Sequence, residues 1–124
     1  MSHFTSYQTE LKDVKTKTVE DAVSEIAKQM DAQVIHELQS NYWSGEDILI
    51  GLKTKDCSQG IGVRVKDGEL TIVGDSYMQP GFNRLKNLIT NTTKMMKIKA
   101  KAKKHKYRTK LNITREKVQL RAWI

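Results

Sequence analysis

The chain has 124 residues, 38% of them hydrophobic, which predicts a single domain over residues 1–124 with one modest core. A lone cysteine, Cys57, excludes an internal disulfide framework, and no apolar run approaches the roughly 20 residues of a membrane span. The formal charge of +8 is uneven, because residues 94–124 hold 12 basic residues and one acid (+11) whereas residues 1–93 hold 10 basic and 13 acidic residues (−3).

The first half of the chain predicts a strand, a helix and four further strands. Alternating Thr, Tyr and Leu side chains favour a first strand over His3–Leu11. Thr18 is a candidate helix N-cap with Asp21 three residues on, and the apolar residues behind it recur at helical spacing. The later strands are predicted from apolar alternation and from the Asp67-Gly68 hairpin turn, and they cover Ala32–Leu38, Asp47–Lys53, Ile61–Lys66 and Glu69–Gly74.

The second half predicts a long helix and a closing hairpin. Pro80 and Gly81 open the helix, whose apolar stripe runs to Met96 and then gives way to alternating Lys and Ala. Two alternating runs joined by Arg115-Glu116 follow as the hairpin. The prediction is an α+β fold in two layers, an antiparallel sheet with two helices packed on one face, in the order β-α-β-β-β-β-α-β-β.

Three short segments resemble a known family. They are Met1-Ser2-His3-Phe4 with Thr9 and Leu11-Lys12-Asp13, the central Gly68–Asp75, and the closing Val118–Trp123. On these the chain is identified as a divergent member of the uncharacterised cyanobacterial and plastid family known as hypothetical chloroplast open reading frame 35. The resemblance implies this architecture and a bacterial, phage or plastid setting, and it supplies no catalytic residues. With an N-terminus that lacks the pattern of a secretion signal, we expect a soluble protein of the cytoplasm, a host cytoplasm or the plastid stroma.

The basic quarter is the main functional signal. One or two lysines are enough to complement the negative end of a helix dipole, and seven lie between positions 94 and 106. A weakly acidic body with one strongly basic region favours an anionic partner: nucleic acid, an acidic protein surface or a membrane surface, with plain solubility as the remaining interpretation. The candidate binding residues are Lys94, Lys97, Lys101, Lys103, Lys104, Lys106, Arg108, Lys110, Arg121 and Trp123.

The alternation of the closing hairpin sharpens this prediction. Arg108, Lys110, Arg121 and Trp123 fall on one face, whereas the apolar residues fall on the other. Cations beside an aromatic ring on a sheet surface suit phosphate contact combined with base stacking. The alternative is that Trp123 covers an edge of the core, and a face covered by the helices would exclude base stacking.

Other chemistries receive little support. Tyr42-Trp43 in a turn-rich segment is either a contact point or a lid on the core. Nothing in the sequence places a histidine beside Cys57, and the three histidines lack the close spacing of zinc ligands. No phosphate-binding loop or dinucleotide fingerprint is present, so no enzyme, metal or cofactor is predicted.

The sequence therefore predicts a small non-catalytic binding module. Its basic C-terminal surface is expected to contact nucleic acid, RNA or DNA, with little sequence specificity. The alternative is an adaptor or regulator that docks on a larger protein such as an ATPase or a polymerase. Salt-dependent binding to nucleic acid would favour the first function, and capture of one acidic protein despite nuclease treatment would favour the second.

Overall fold

The computed structural model describes residues 4–38, 46–76 and 79–124. Its elements are β1 (Phe4–Gln8), α1 (Thr16–Met30), β2 (Gln33–Leu38), β3 (Glu46–Thr54), β4 (Cys57–Lys66), β5 (Glu69–Asp75), α2 (Phe82–Lys104), β6 (Arg108–Ile113) and β7 (Val118–Trp123). The predicted α+β class and the predicted order of elements are confirmed. The first strand is shorter than predicted, because the Thr9 hydroxyl accepts a hydrogen bond of 3.3 Å from the Leu11 N–H and turns the chain.

Strands β1 to β5 form one antiparallel sheet in the order β1-β5-β4-β3-β2. The Asp67-Gly68 turn between β4 and β5 has φ angles of 53° and 77°, which a type I′ hairpin requires at both central residues. Ile50, Val63 and Ile72 lie opposite one another on adjacent strands. Their side chains therefore share the face of the sheet against which both helices pack.

Helix α1 begins two residues before the predicted N-cap Thr18, so that prediction is wrong. The N-cap is Lys15, whose side chain makes no capping bond. The preceding Val14 is buried, and its N–H donates to the Gly68 C=O at 2.9 Å. Val14 and Val19 both belong to the core and occupy the N′ and N4 positions of a hydrophobic staple. Tertiary anchoring of Val14, rather than side-chain capping, sets where the helix starts.

Helix α2 starts directly after Pro80 and Gly81, as the sequence predicts. Gly81 is its N-cap, and the Gly81 N–H donates to the Asp56 C=O at 2.9 Å. A Cβ atom at Gly81 would lie 2.5 Å from the Asp56 carboxylate, so only glycine allows this approach. The helix has 23 residues and a length of about 34 Å. In the part of the chain that the structure describes, neither helix is long and apolar enough to span a membrane.

The closing hairpin is not part of the large sheet. Strands β6 and β7 form a separate two-stranded sheet that packs on α1 and α2. Leu111 and Ile113 on its inner face are buried in the core together with residues of both helices. The helices thus lie between the five-stranded sheet and the hairpin, and the predicted two layers become three.

Candidate nucleic-acid interface

The C-terminal part of α2 extends past the core. Its fully buried positions end at Thr93, and Met95 and Met96 are only half-buried. Beyond Met96 the side chains are half-buried or exposed, and Ile98 is 46% exposed. The lysine-rich end of the helix therefore contributes little to the core, and its charges lie at the surface.

Four lysines form one row along the solvent side of α2. Successive helical residues turn by about 100°, which places the four within an arc of about 80° whose centre lies about 120° from the middle of the buried stripe. We call them the outer row: Lys94, Lys97, Lys101 and Lys104. The Lys97 ammonium group also donates to the Lys12 C=O at 2.7 Å and so connects α2 to the segment before α1. The structure thus brings four of the predicted binding residues together.

Lys103 does not belong to this row, although the sequence analysis grouped it with Lys101 and Lys104. It lies on the opposite side of the helix with Lys99, and both line a groove between the two helices. The facing wall of that groove carries Asp21 and Glu25 of α1. These carboxylates offset the two positive charges locally. Lys99 and Lys103 are consequently poor candidates for contact with a polyanion.

A left-handed residue ends α2 and directs the chain into the hairpin. Lys106 has φ of 64°, and the Tyr107 N–H donates to the Ala102 C=O at 3.1 Å. The Lys106 N–H donates to the Lys103 C=O at 3.0 Å, which completes a Schellman motif. This motif turns the chain so that only three residues separate the end of α2 from the start of β6. Lys106 therefore lies between the outer row and β6.

The register of the hairpin confirms the predicted shared face. Arg108 lies opposite Trp123, Lys110 opposite Arg121, and Asn112 opposite Gln119. We call these six residues the outer face of the hairpin. All of them except the half-buried Asn112 are exposed, with Trp123 exposed to 44%. Trp123 is thus no buried lid on the core, and the helices leave this face open.

The end of α2 lies beside the end of the hairpin that carries Trp123. Lys101 and Ala102 of the helix lie around the same surface depression as Ala122, the neighbour of Trp123 in β7. Ile98, His105 and Tyr107 complete that depression. Within residues 94–124 the one acidic residue, Glu116, lies in the β6–β7 turn, at the other end of the hairpin from Trp123.

Gln29 of α1 attaches the hairpin to the helices. Its side-chain amide donates to the Leu111 C=O at 3.0 Å and accepts from the Ile113 N–H at 2.7 Å. These are the backbone groups that a neighbouring strand would bond, so the amide satisfies the free edge of β6. The same nitrogen donates to Glu25 at 2.7 Å, which fixes the rotamer.

Replacing Gln29 with leucine is expected to destabilise the protein by about 1–2 kcal/mol, because two backbone groups of β6 lose their partner. Urea unfolding followed by circular dichroism measures the change. Gln119→Leu is the matched control, since Gln119 lies on the exposed outer face of the hairpin, and its effect should stay below about 0.5 kcal/mol. Equal effects of the two substitutions would show that Gln29 does not hold the hairpin.

The turn end of the hairpin lies beside a second polar cluster. One Arg84 guanidinium nitrogen contacts both Asp56 carboxylate oxygens, at 3.0 Å and 2.7 Å, and the Thr54 hydroxyl donates to the same carboxylate at 2.7 Å. Arg115 of the β6–β7 turn approaches it at 3.9 Å. The Thr54 hydrogen bond and the Arg84 guanidinium hold the pKa of Asp56 below its usual value of 3.8.

Because the pKa of Asp56 is lower in the folded protein, its stabilising effect is present above about pH 4 and disappears as the pH falls through the folded pKa. Asp56→Asn should therefore lower the free energy of unfolding by about 1–2 kcal/mol at pH 7 and by much less at pH 2.5. Urea unfolding at both pH values measures this. Asp21→Asn is the control. Asp21 forms an exposed pair with Lys17 at 4.0 Å, so its replacement should change the free energy of unfolding by less than about 0.5 kcal/mol. A pH-independent loss in Asp56→Asn would contradict the assignment.

The remaining candidate chemistries gain nothing from the structure. Cys57 is fully buried, and burial raises the pKa of its thiol to about 12, so it carries almost no thiolate at neutral pH. Within the described ranges, no cluster of three or more His, Cys, Asp or Glu side chains could hold a metal ion. Tyr42 and Trp43 lie outside the described residues, so the prediction about them stays a prediction.

Gln29 and the Asp56–Arg84 pair carry no recognisable sequence signal. Gln29 lies on the polar face of an amphipathic helix and is 84 residues from Ile113. Arg84 lies 28 residues from Asp56, in a different element. Only the tertiary packing brings these groups together.

No protein-family model, curated protein or solved structure matches the chain. The resemblance to the family of hypothetical chloroplast open reading frame 35 therefore stays a prediction, and the function is inferred from the geometry of this chain.

Proposed function

We propose that the protein is a non-catalytic module that binds nucleic acid through the outer row and the outer face of the hairpin, with little sequence specificity. The observation that carries this proposal is the open outer face of the hairpin, on which Arg108, Lys110 and Arg121 are exposed beside Trp123. The two surfaces together present eight cations, namely the outer row with Lys106, Arg108, Lys110 and Arg121. Of these cations all but the half-buried Lys97 are exposed, and exposed cations on ordered structure suit contact with the phosphates of a nucleic-acid backbone.

The chemistry of these cations favours contact with the phosphate backbone over recognition of particular bases. Lysine is a compact point charge that neutralises a phosphate without constraining which base is attached to it. Five of the eight cations are lysines spread over α2 and the following turn, and each offers a single ammonium group rather than a planar fork that could read a base edge. Affinity is then electrostatic and nearly independent of sequence.

Fluorescence anisotropy with labelled 20-mers of several unrelated sequences tests the proposal at 50 mM salt. We expect dissociation constants that agree within about threefold among sequences of the same strandedness. Absence of binding to every RNA and DNA tested would refute the proposal. A host pull-down that yields one acidic protein equally well with and without nuclease, combined with that absence, would support the adaptor function instead.

A further inference from the structure

We infer that the ligand of the outer face of the hairpin is single-stranded nucleic acid, with an unpaired base stacked on Trp123. This inference rests on the proposed function and names its ligand class. It depends on the way in which the six side chains of this face are arranged, and not on charge alone.

The arrangement follows from the strand register. Cross-strand partners in an antiparallel pair have Cβ atoms about 5 Å apart, and successive same-face pairs lie about 7 Å apart along the strands. The outer face is therefore a ladder of three rungs: Arg108 with Trp123, Lys110 with Arg121, and Asn112 with Gln119. The aromatic ring lies at the end of the ladder nearest α2. The two rungs at that end consist of three cations and the ring.

Trp123 is not held by the core. It is 44% exposed, and with Lys110, Arg121 and Ala122 it borders an open depression on the surface of the hairpin. The register places this ring on the face opposite to that of Leu120 and Ala122. An exposed indole between guanidinium and ammonium groups offers a stacking surface to a flat, electron-rich base attached to an anionic backbone.

The exposed ring of Trp123 can stack on a base of a single strand but not on a base of a duplex. In a duplex each base is already stacked on its neighbours and paired with its partner, so a ring on a flat sheet surface does not reach a base face. A single strand can turn one base onto Trp123 while Arg108 and Arg121 contact the flanking phosphates. The duplex would engage the cations only. Trp123 therefore contributes to the affinity for single strands and not to the affinity for duplexes.

Intrinsic fluorescence of Trp123 provides a direct readout. The chain has two tryptophans, so Trp43→Phe leaves Trp123 as the single indole. This variant is titrated with the 12-mers dT12 and rU12 and with a 12-base-pair DNA duplex. We expect quenching of Trp123 by at least one of the two single strands, with the comparison of dT12 and rU12 deciding between DNA and RNA, and little quenching by the duplex.

Affinities of matched variants complete the experiment. Trp123→Leu should weaken single-strand binding by about 5- to 100-fold, the range of one lost stacking contact, and should change duplex binding by less than about twofold. Trp123→Phe is the control, because it keeps an aromatic ring at the same position of the outer face. It should weaken single-strand binding by much less than Trp123→Leu does and should change duplex binding by less than about twofold.

The outcomes distinguish the inference of base stacking on Trp123 from the proposed electrostatic binding of nucleic acid. Equal weakening of single-strand and duplex binding by Trp123→Leu, or quenching by neither single strand, would overturn the stacking inference while leaving electrostatic binding intact. If no nucleic acid binds at all, the proposed function falls together with this inference. Since the quenching experiment keeps Trp123 in place, it decides the question even if Trp123→Leu proves unfolded by circular dichroism.

Discussion

Replacing Lys94, Lys101 and Lys104 together with glutamine is expected to weaken binding to a single strand by about 400-fold at 50 mM salt. The physical reason is counterion release, since each phosphate neutralised by the protein adds about −0.7 to the slope of log Kobs against log salt for a single strand. Removing three contacts should make the slope shallower by about 2, with the difference between variant and wild type vanishing near 1 M salt. Lys97 is left in place because it also bonds the Lys12 C=O.

A control variant of equal charge isolates the effect of position. Lys99 and Lys103 line the groove that faces Asp21 and Glu25, and Lys17 pairs with Asp21 on α1. Replacing Lys17, Lys99 and Lys103 with glutamine removes the same three charges but should weaken binding by less than about threefold, as expected of long-range screened charges. Equal losses in the two triple variants would show that net charge, and not the outer row, determines affinity. Anisotropy titrations from 50 to 300 mM salt measure both.

Replacing Gly51 with alanine is expected to destabilise the fold by about 3 kcal/mol or more. Gly51 lies opposite Gly62 on the neighbouring strand, and an added Cβ would lie 2.4 Å from the Ile61 carbonyl oxygen and 2.8 Å from the Ile48 Cδ1. The side chain of Ile48 can rotate, but a backbone oxygen in the adjacent strand can move only with the sheet. Overpacking at such a site separates the strands and weakens their hydrogen bonds.

Thermal unfolding followed by circular dichroism tests this expectation. The midpoint of Gly51→Ala should fall by about 10 °C or more. Thr71→Ala is the matched control, because Thr71 lies on the same face of the same sheet, opposite Arg64, and is half-buried. Its midpoint should fall by no more than about 4 °C. An unchanged midpoint in Gly51→Ala would contradict the close approach of β3 and β4 at this position.

The order of elements could be predicted because local patterns agree with the tertiary structure. Apolar alternation along β4 and β5, the Asp67-Gly68 turn and the stripe on α2 each specify one element with one buried side. The start of α1 could not be predicted in the same way. Its position depends on the hydrogen bond between Val14 and Gly68, which joins residues from distant parts of the chain.

One part of the candidate interface, the hairpin face, could also be predicted from the sequence, whereas the arrangement of the α2 lysines could not. Strand parity was sufficient to place Arg108, Lys110, Arg121 and Trp123 on one face, because the side-chain period of a strand is two residues. A run of lysines on a helix does not show in the same way which of them share a surface. Whether a lysine is exposed or faces the groove depends on where α1 packs against α2. Lys103 was therefore grouped with Lys101 and Lys104 until the structure placed it beside Asp21 and Glu25.

The central claim is that ordered cations on α2 and the hairpin bind a nucleic-acid backbone, and the salt dependence of wild-type binding tests it most directly. Anisotropy of a labelled single strand between 50 and 300 mM salt gives the slope of log Kobs against log salt. With most of the eight cations engaged, the slope should lie between about −4 and −5.5. A slope near zero, or no binding at 50 mM salt, would contradict the claim.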